Sequence, residues 1–211
     1  FTACAATAQP RLAAPAEVVI HLHPSLEDAD FVEGLVCELG RVLVAPVRVV
    51  RSDLVLTREL LATPTQLDAF KVNRTFAQAT AGEAVRTFRY LILPYDLKVD
   101  GLNYLFSWTS PEGDTTAVVS TVRLAPIVRD LSRKRVAHIT ADRLYKLMLK
   151  SVAVLSGLRT GGCIMAFPRQ LEELDAKPAE FCAEDRVALV EAGVLKARPF
   201  GACNTVAMIG Q

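Results

Sequence analysis

The sequence predicts a single α/β domain: a twisted, mixed sheet carrying helices, with an antiparallel strand at its edge. Three stretches predict it. Residues 17–56 read strand, helix, strand, an order that needs a crossover, which is right-handed within one sheet. Residues 102–124 read as a hairpin, the antiparallel part. Residues 140–157 read as a helix so apolar in its second half that it belongs deep in the domain. The small, Ala-rich residues 1–16 are assigned to a tail, and 17–211 to the domain.

Taken in order, EVVIHLH over 17–23 alternates β-branched and other residues, the mark of a strand. His21 and His23 share one face of it. Without a third ligand nearby they read as ordinary strand histidines. Ser25 and Asp28 resemble a capping box, and Phe31, Leu35 and Leu39 give a helix over 26–39 one buried face, closed by Gly40. Residues 41–56 carry one or two strands broken at Pro46. Thr63-Pro64-Thr65-Gln66 combines a capping residue, a first-turn proline and a glutamine, predicting a helix to about Ala79. The sequon Asn73-Arg74-Thr75 would lie on that helix's surface. Residues 89–97 read as a buried strand with Pro94 near its end. Asp100-Gly101 bends the chain, and a turn at 111–114 separates strands over 102–109 and 115–124. Trp108 is expected to pack in the core or hairpin. Thr140 caps the apolar helix, whose stripe is Leu144, Leu147, Met148, Ser151 and Leu155, and Gly157 ends it.

The net charge of +1, with Lys and Arg scattered, gives no field for nucleic acid. The tight run Arg133-Lys134-Arg135 reads as a solvated loop. No apolar run approaches the roughly 20 residues that span a bilayer. Phe1-Thr2-Ala3-Cys4 resembles a bacterial lipobox, in which Cys4 would carry a lipid anchor to a membrane. An exported, periplasmic or envelope protein is expected, with the cytoplasm as the alternative. In an oxidising compartment the preferred pairs among five cysteines are Cys163 with Cys182 and Cys37 with Cys203; in a reducing one all five are free thiols. There is no Gly-rich phosphate loop, G-x-S-x-G elbow or coherent Ser/His/Asp set. Glu172, Glu173 and Asp175 read as a solvated acidic loop.

Two groups of residues carry a resemblance. One is Tyr95-Asp96-Leu97, Gly101-Leu102-Asn103-Tyr104-Leu105-Phe106, Val118-Val119-Ser120 and Arg123-Leu124. The other is Cys163-Ile164-Met165-Ala166-Phe167, Leu174-Asp175, Lys177 and Phe181-Cys182. In this order they resemble the archaemetzincins, small zinc-dependent metalloproteases, over roughly residues 17–196. The resemblance implies a metzincin fold with an edge strand above a cleft and a methionine turn at Met165.

A metzincin also needs H-E-x-x-H-x-x-G-x-x-H, which presents two histidines one helical turn apart, a glutamate base and, after a glycine turn, a third histidine. With Gly157 as that glycine, the ligand positions fall on Lys150, Val154 and Thr160 and the base position on Ser151. None replaces its counterpart. His138, expected before the helix, cannot supply a one-turn pair. No catalytic residue and no zinc cofactor are therefore expected. Of the four cysteines of the family's structural zinc site, Cys163 and Cys182 match two, with Gly161 and Asp185 near the other positions. Weak zinc binding by Cys163, Cys182 and Asp185, free thiols, or a stapling disulfide between Cys163 and Cys182 remain open.

The reading carried forward is a catalytically inactive homologue, a pseudopeptidase that binds an unidentified peptide or protein by strand addition. Its rivals are a hydrolase with reassigned chemistry at Lys150, Ser151 or a cysteine, and a structural envelope lipoprotein. Lys150 would either snorkel to solvent, bind an anion, or pair with a carboxylate, Tyr145 or Thr160; with Lys146 one turn away it would form a small cationic face.

Overall fold

Alternation along the first strand decides how the layers stack. A computed structural model describes residues 12–26, 29–84, 86–110, 114–127, 130–159 and 161–203. In β1 (Glu17–Leu22), Val18, Ile20 and Leu22 face one core while Val19 and His21 face the other side. β1 pairs in parallel with β2 (Val47–Arg51) and β5 (Thr87–Leu93), and β5 pairs in parallel with β8 (Thr116–Ser120). β7 (Ser107–Thr109) adds antiparallel to β8, so the sheet order is β2-β1-β5-β8-β7. A second sheet joins β3 (Leu61–Thr63), β4 (Gln66–Asp68) and β6 (Asp96–Lys98). The mixed α/β architecture with an antiparallel edge strand is as the sequence predicts.

One face is covered by α1 (Phe31–Val42) and α3 (Arg133–Leu155), which bury Leu35, Leu39, Leu144 and Met148 against Ile20, Tyr90 and Val119. Each such side chain contributes about 2 kcal/mol by leaving water. The opposite face carries α2 (Ala69–Ala79), whose Val72 and Phe76 pack on Leu91, Leu93 and Val118. Beyond α3 lie a 3-10 turn (Cys163–Met165), α4 (Leu171–Ala176) and α5 (Ala183–Glu191).

Several local readings are corrected. Thr63 to Gln66 forms the β3–β4 connection, because proline and polar residues suit a turn as well as a helix start. The cap of α2 is Asp68, which accepts a hydrogen bond from the Lys71 amide. Asn73 is buried and donates to the Ser110 hydroxyl, so the sequon is interior. α3 starts at Arg133 with Ser132 as its cap, so the basic run is its exposed first turn and His138 lies within the helix. The segment before Cys182 holds α4 rather than continuous loop. Asp28 and residues 111–113 lie outside the described residues. The chain is already packed against the core at Leu12, and the Ala13 amide donates to the Ser156 carbonyl.

Candidate functional site

Strand β7 and the chain before it form one wall of a cleft; the end of α3 and Phe167–Arg169 form the other. The cleft holds about 520 Å³. Leu102, Trp108 and Phe167 make it largely apolar, and its only charged lining residues, among those described, are Lys150 and Arg169. On the α2 side of the sheet, the exposed Phe70 meets Trp108 edge to face at 6.5 Å.

Along the end of α3 and the turn after it, the four described motif positions, Lys150, Ser151, Val154 and Gly157, behave differently. Ser151 is 1% exposed, and its hydroxyl exchanges a 2.8 Å hydrogen bond with that of Thr109 on β7. Beneath it lies the fully buried Tyr90 hydroxyl, whose pKa burial raises. Ser151 thus ties the helix to the edge strand. Val154 presents hydrocarbon to the cleft. Gly157 turns the chain at φ +103°, a conformation glycine adopts freely. Met165 is buried at the end of the 3-10 turn. Thr160 and Cys4 lie outside the described residues.

Lys150 reaches the cleft floor, where its ammonium lies 3.5 Å from the Ala166 carbonyl and 5.2 Å from the Phe167 ring centre. The same carbonyl oxygen accepts a 2.9 Å bond from Lys177, which is buried. Among the described residues neither lysine has a carboxylate partner. Burial lowers the pKa of Lys150; burial, then the charges of Lys150 and Lys146, push Lys177 down to about 7. Lys146 is not part of an exposed cationic face with Lys150. It is buried, pairs with Asp142 at 3.1 Å and donates to the Asp175 carbonyl. Tyr145 is not Lys150's partner either. It lines a separate hollow with His138, and burial pushes its pKa up to about 12. Asp175, expected in a solvated loop, takes a two-pronged ion pair from Arg143.

Cys163 and Cys182 form one disulfide and Cys37 and Cys203 another. The first joins the methionine turn to the start of α5, where Asp185 is buried. With both sulfurs in a disulfide, Cys163, Cys182 and Asp185 offer no thiolate pair. Among the described residues no three His, Cys, Asp or Glu side chains are gathered as metal ligands. An ammonium, a bonded hydroxyl and an isopropyl group are not a zinc donor set.

This arrangement of sheet, edge strand, central helix and methionine turn has solved counterparts. A zinc-dependent peptidase from Methanocorpusculum labreanum superposes with a TM-score of 0.67 at 24% identity, covering 82% of this chain and 99% of that one. The chain has the archaemetzincin fold. Archaemetzincin from Archaeoglobus fulgidus, complexed with malonate, gives 0.63 at 21% identity over 82% and 99% of the two chains. Archaemetzincin from Methanopyrus kandleri gives 0.62 at 20%, over 83% and 94%. No protein-family model and no curated protein matches the sequence.

Within this archaemetzincin fold, sequence reasoning singled out Lys150 but not its neighbours. Lys177 stood in the quoted family pattern without a role, 27 positions along the chain from Lys150. Arg169 carried no signal beyond its place after the methionine turn.

Proposed function

We propose that this protein is a peptide-binding module on a peptidase scaffold, without peptidase chemistry. The observation that carries the reading is the union of an edge strand with an apolar cleft whose motif positions hold Lys150, Ser151 and Val154. Among the described residues β7 pairs only with β8, so its other side can take an extended peptide strand. Trp108 and Phe167 would receive alternate side chains of that strand. Hydrolysis by reassigned residues finds little support: Ser151 is sealed against Thr109, and Cys37, Cys163, Cys182 and Cys203 are in disulfides. Those disulfides also favour export to an oxidising compartment, which we include in the proposal.

The test is to titrate labelled, strand-forming peptides into the purified protein and follow binding by fluorescence anisotropy and integrity by mass spectrometry. Saturable binding of uncut peptide, unchanged by chelator, is the expected result. Stoichiometric zinc together with chelator-sensitive cleavage, or no peptide binding at all, would overturn the reading.

A further inference from the structure

Charge in the cleft is one-sided. Its two charged lining residues, Lys150 on the floor and Arg169 at the exposed rim, are both cationic, and no described aspartate or glutamate lines it. Elsewhere along α3 buried cations are matched: Arg143 by Asp175 and Lys146 by Asp142. Lys150 and Lys177 instead share one carbonyl oxygen. A carbonyl dipole shared between two ammonium groups compensates neither well, and the mutual repulsion is relieved when an anion joins them. Lys177 sits behind Lys150 and adds to the field without lining the cleft.

From this geometry we infer that the peptide bound along β7 carries a carboxylate, received by Lys150 at the cleft floor with Arg169 closing over it from the rim. The inference rests on the peptide-binding reading above and adds to it the ligand's chemical class. The carboxylate has two possible sources, an acidic side chain within the strand or the peptide's own C-terminus. A peptide suits the site better than a small free anion, because the apolar walls and the unpaired strand edge lie next to the charge. Lys150 is then the specificity-determining residue. Its ammonium near the Phe167 ring is held over the cleft rather than directed to bulk solvent.

Three labelled heptapeptides with Val and Leu at alternating positions separate the possibilities. One has a central Glu and an amidated C-terminus, one a central Gln and an amidated C-terminus, and one a central Gln with a free C-terminal carboxylate. Anisotropy titrations should give at least one carboxylate peptide about tenfold tighter than the neutral one, a preference that shrinks as salt rises. Which one it is identifies the source. Lys150→Met should erase the preference. Lys150→Arg should retain the preference, and a melting temperature matching the parent certifies each variant's fold. Equal binding of all three peptides, or a preference that survives Lys150→Met, overturns the inference and leaves the peptide reading standing. Binding of none overturns both.

Discussion

Four cations lie where α3 meets the segment after the methionine turn, and they fall into two pairs. In the first pair, Arg143 gives both guanidinium prongs to Asp175 at 2.6 and 2.7 Å and a third bond to the Leu124 carbonyl, and Lys146 has Asp142. In the second pair, nearer the helix end, Lys150 and Lys177 divide one carbonyl. Burial does not separate the pairs, since Arg143, Lys146 and Lys177 are all nearly inaccessible. What separates them is the countercharge. A buried cation with a carboxylate across from it holds two segments together; one without a carboxylate is a cost to the fold that a ligand can relieve.

The largest effect should come from breaking the compensated pair. Arg143→Met removes the bond to the buried Leu124 carbonyl and frees Asp175, whose carboxyl Arg143 holds below its ordinary value. Because Asp175 is itself exposed, the loss should be about 2–3 kcal/mol, below that of a fully buried pair. Urea unfolding at pH 7 would measure it. The ion-pair part of the deficit should be present above the unfolded carboxyl's pKa and shrink as pH falls through the lower folded one. A change under 0.5 kcal/mol would mean that countercharge is not what distinguishes the two pairs.

The uncompensated pair should respond in a higher pH window, and there the variant should gain rather than lose stability. Lys177 titrates near 7 in the folded protein and near 10.5 unfolded. Between these values the unfolded chain binds more protons, so stability should rise with pH, and below 7 the full penalty applies. Lys177→Met should flatten this slope, raising stability at pH 6 by about 2 kcal/mol, allowing for partial solvent screening, and changing little at pH 11. Parallel parent and variant curves from pH 6 to 10 would contradict it.

This division was only partly legible in the sequence. Period-two alternation over 17–23 and a near-continuous apolar stripe over 144–155 announce β1 and the core of α3, because burial of one face writes itself into local spacing. The first two turns of α3 were hidden because Arg133, Lys134 and Arg135 are all exposed and show no apolar period. Thr63-Pro64-Thr65-Gln66 misled because helix caps and turns draw on the same residues. At the site, glycine spacing located Lys150, Ser151 and Val154, since a helix fixes which side chains follow its turns. The partners were out of reach. Ser151 meets Thr109 across 42 positions and Lys150 meets Lys177 through a carbonyl between them, contacts set by the tertiary fold. Asp142 and Lys146, four apart on one helix, are the exception, and their spacing is a local rule.

The smallest effect is the most direct probe of coupling within the second pair. Lys150→Met deletes an ammonium that burial disfavours and whose one hydrogen-bond partner among the described residues is the Ala166 carbonyl at 3.5 Å, the methylene stem being largely preserved. Stability at pH 7 should therefore stay within about 0.5 kcal/mol of the parent or rise slightly, in contrast to Arg143→Met. The informative reading is at the neighbour. The charge of Lys150 is the largest electrostatic influence holding Lys177 down, after burial itself. Its removal should move the Lys177 midpoint upward, so the steep part of the stability-versus-pH curve begins at higher pH. In a double-mutant cycle, Lys150→Met should then stabilise the parent more than it stabilises the Lys177→Met background at pH 6, because in that background the repulsion is already gone. Additive effects would mean that the two ammonium groups do not sense each other, and Lys150 would reduce to a surface lysine leaning over a cleft.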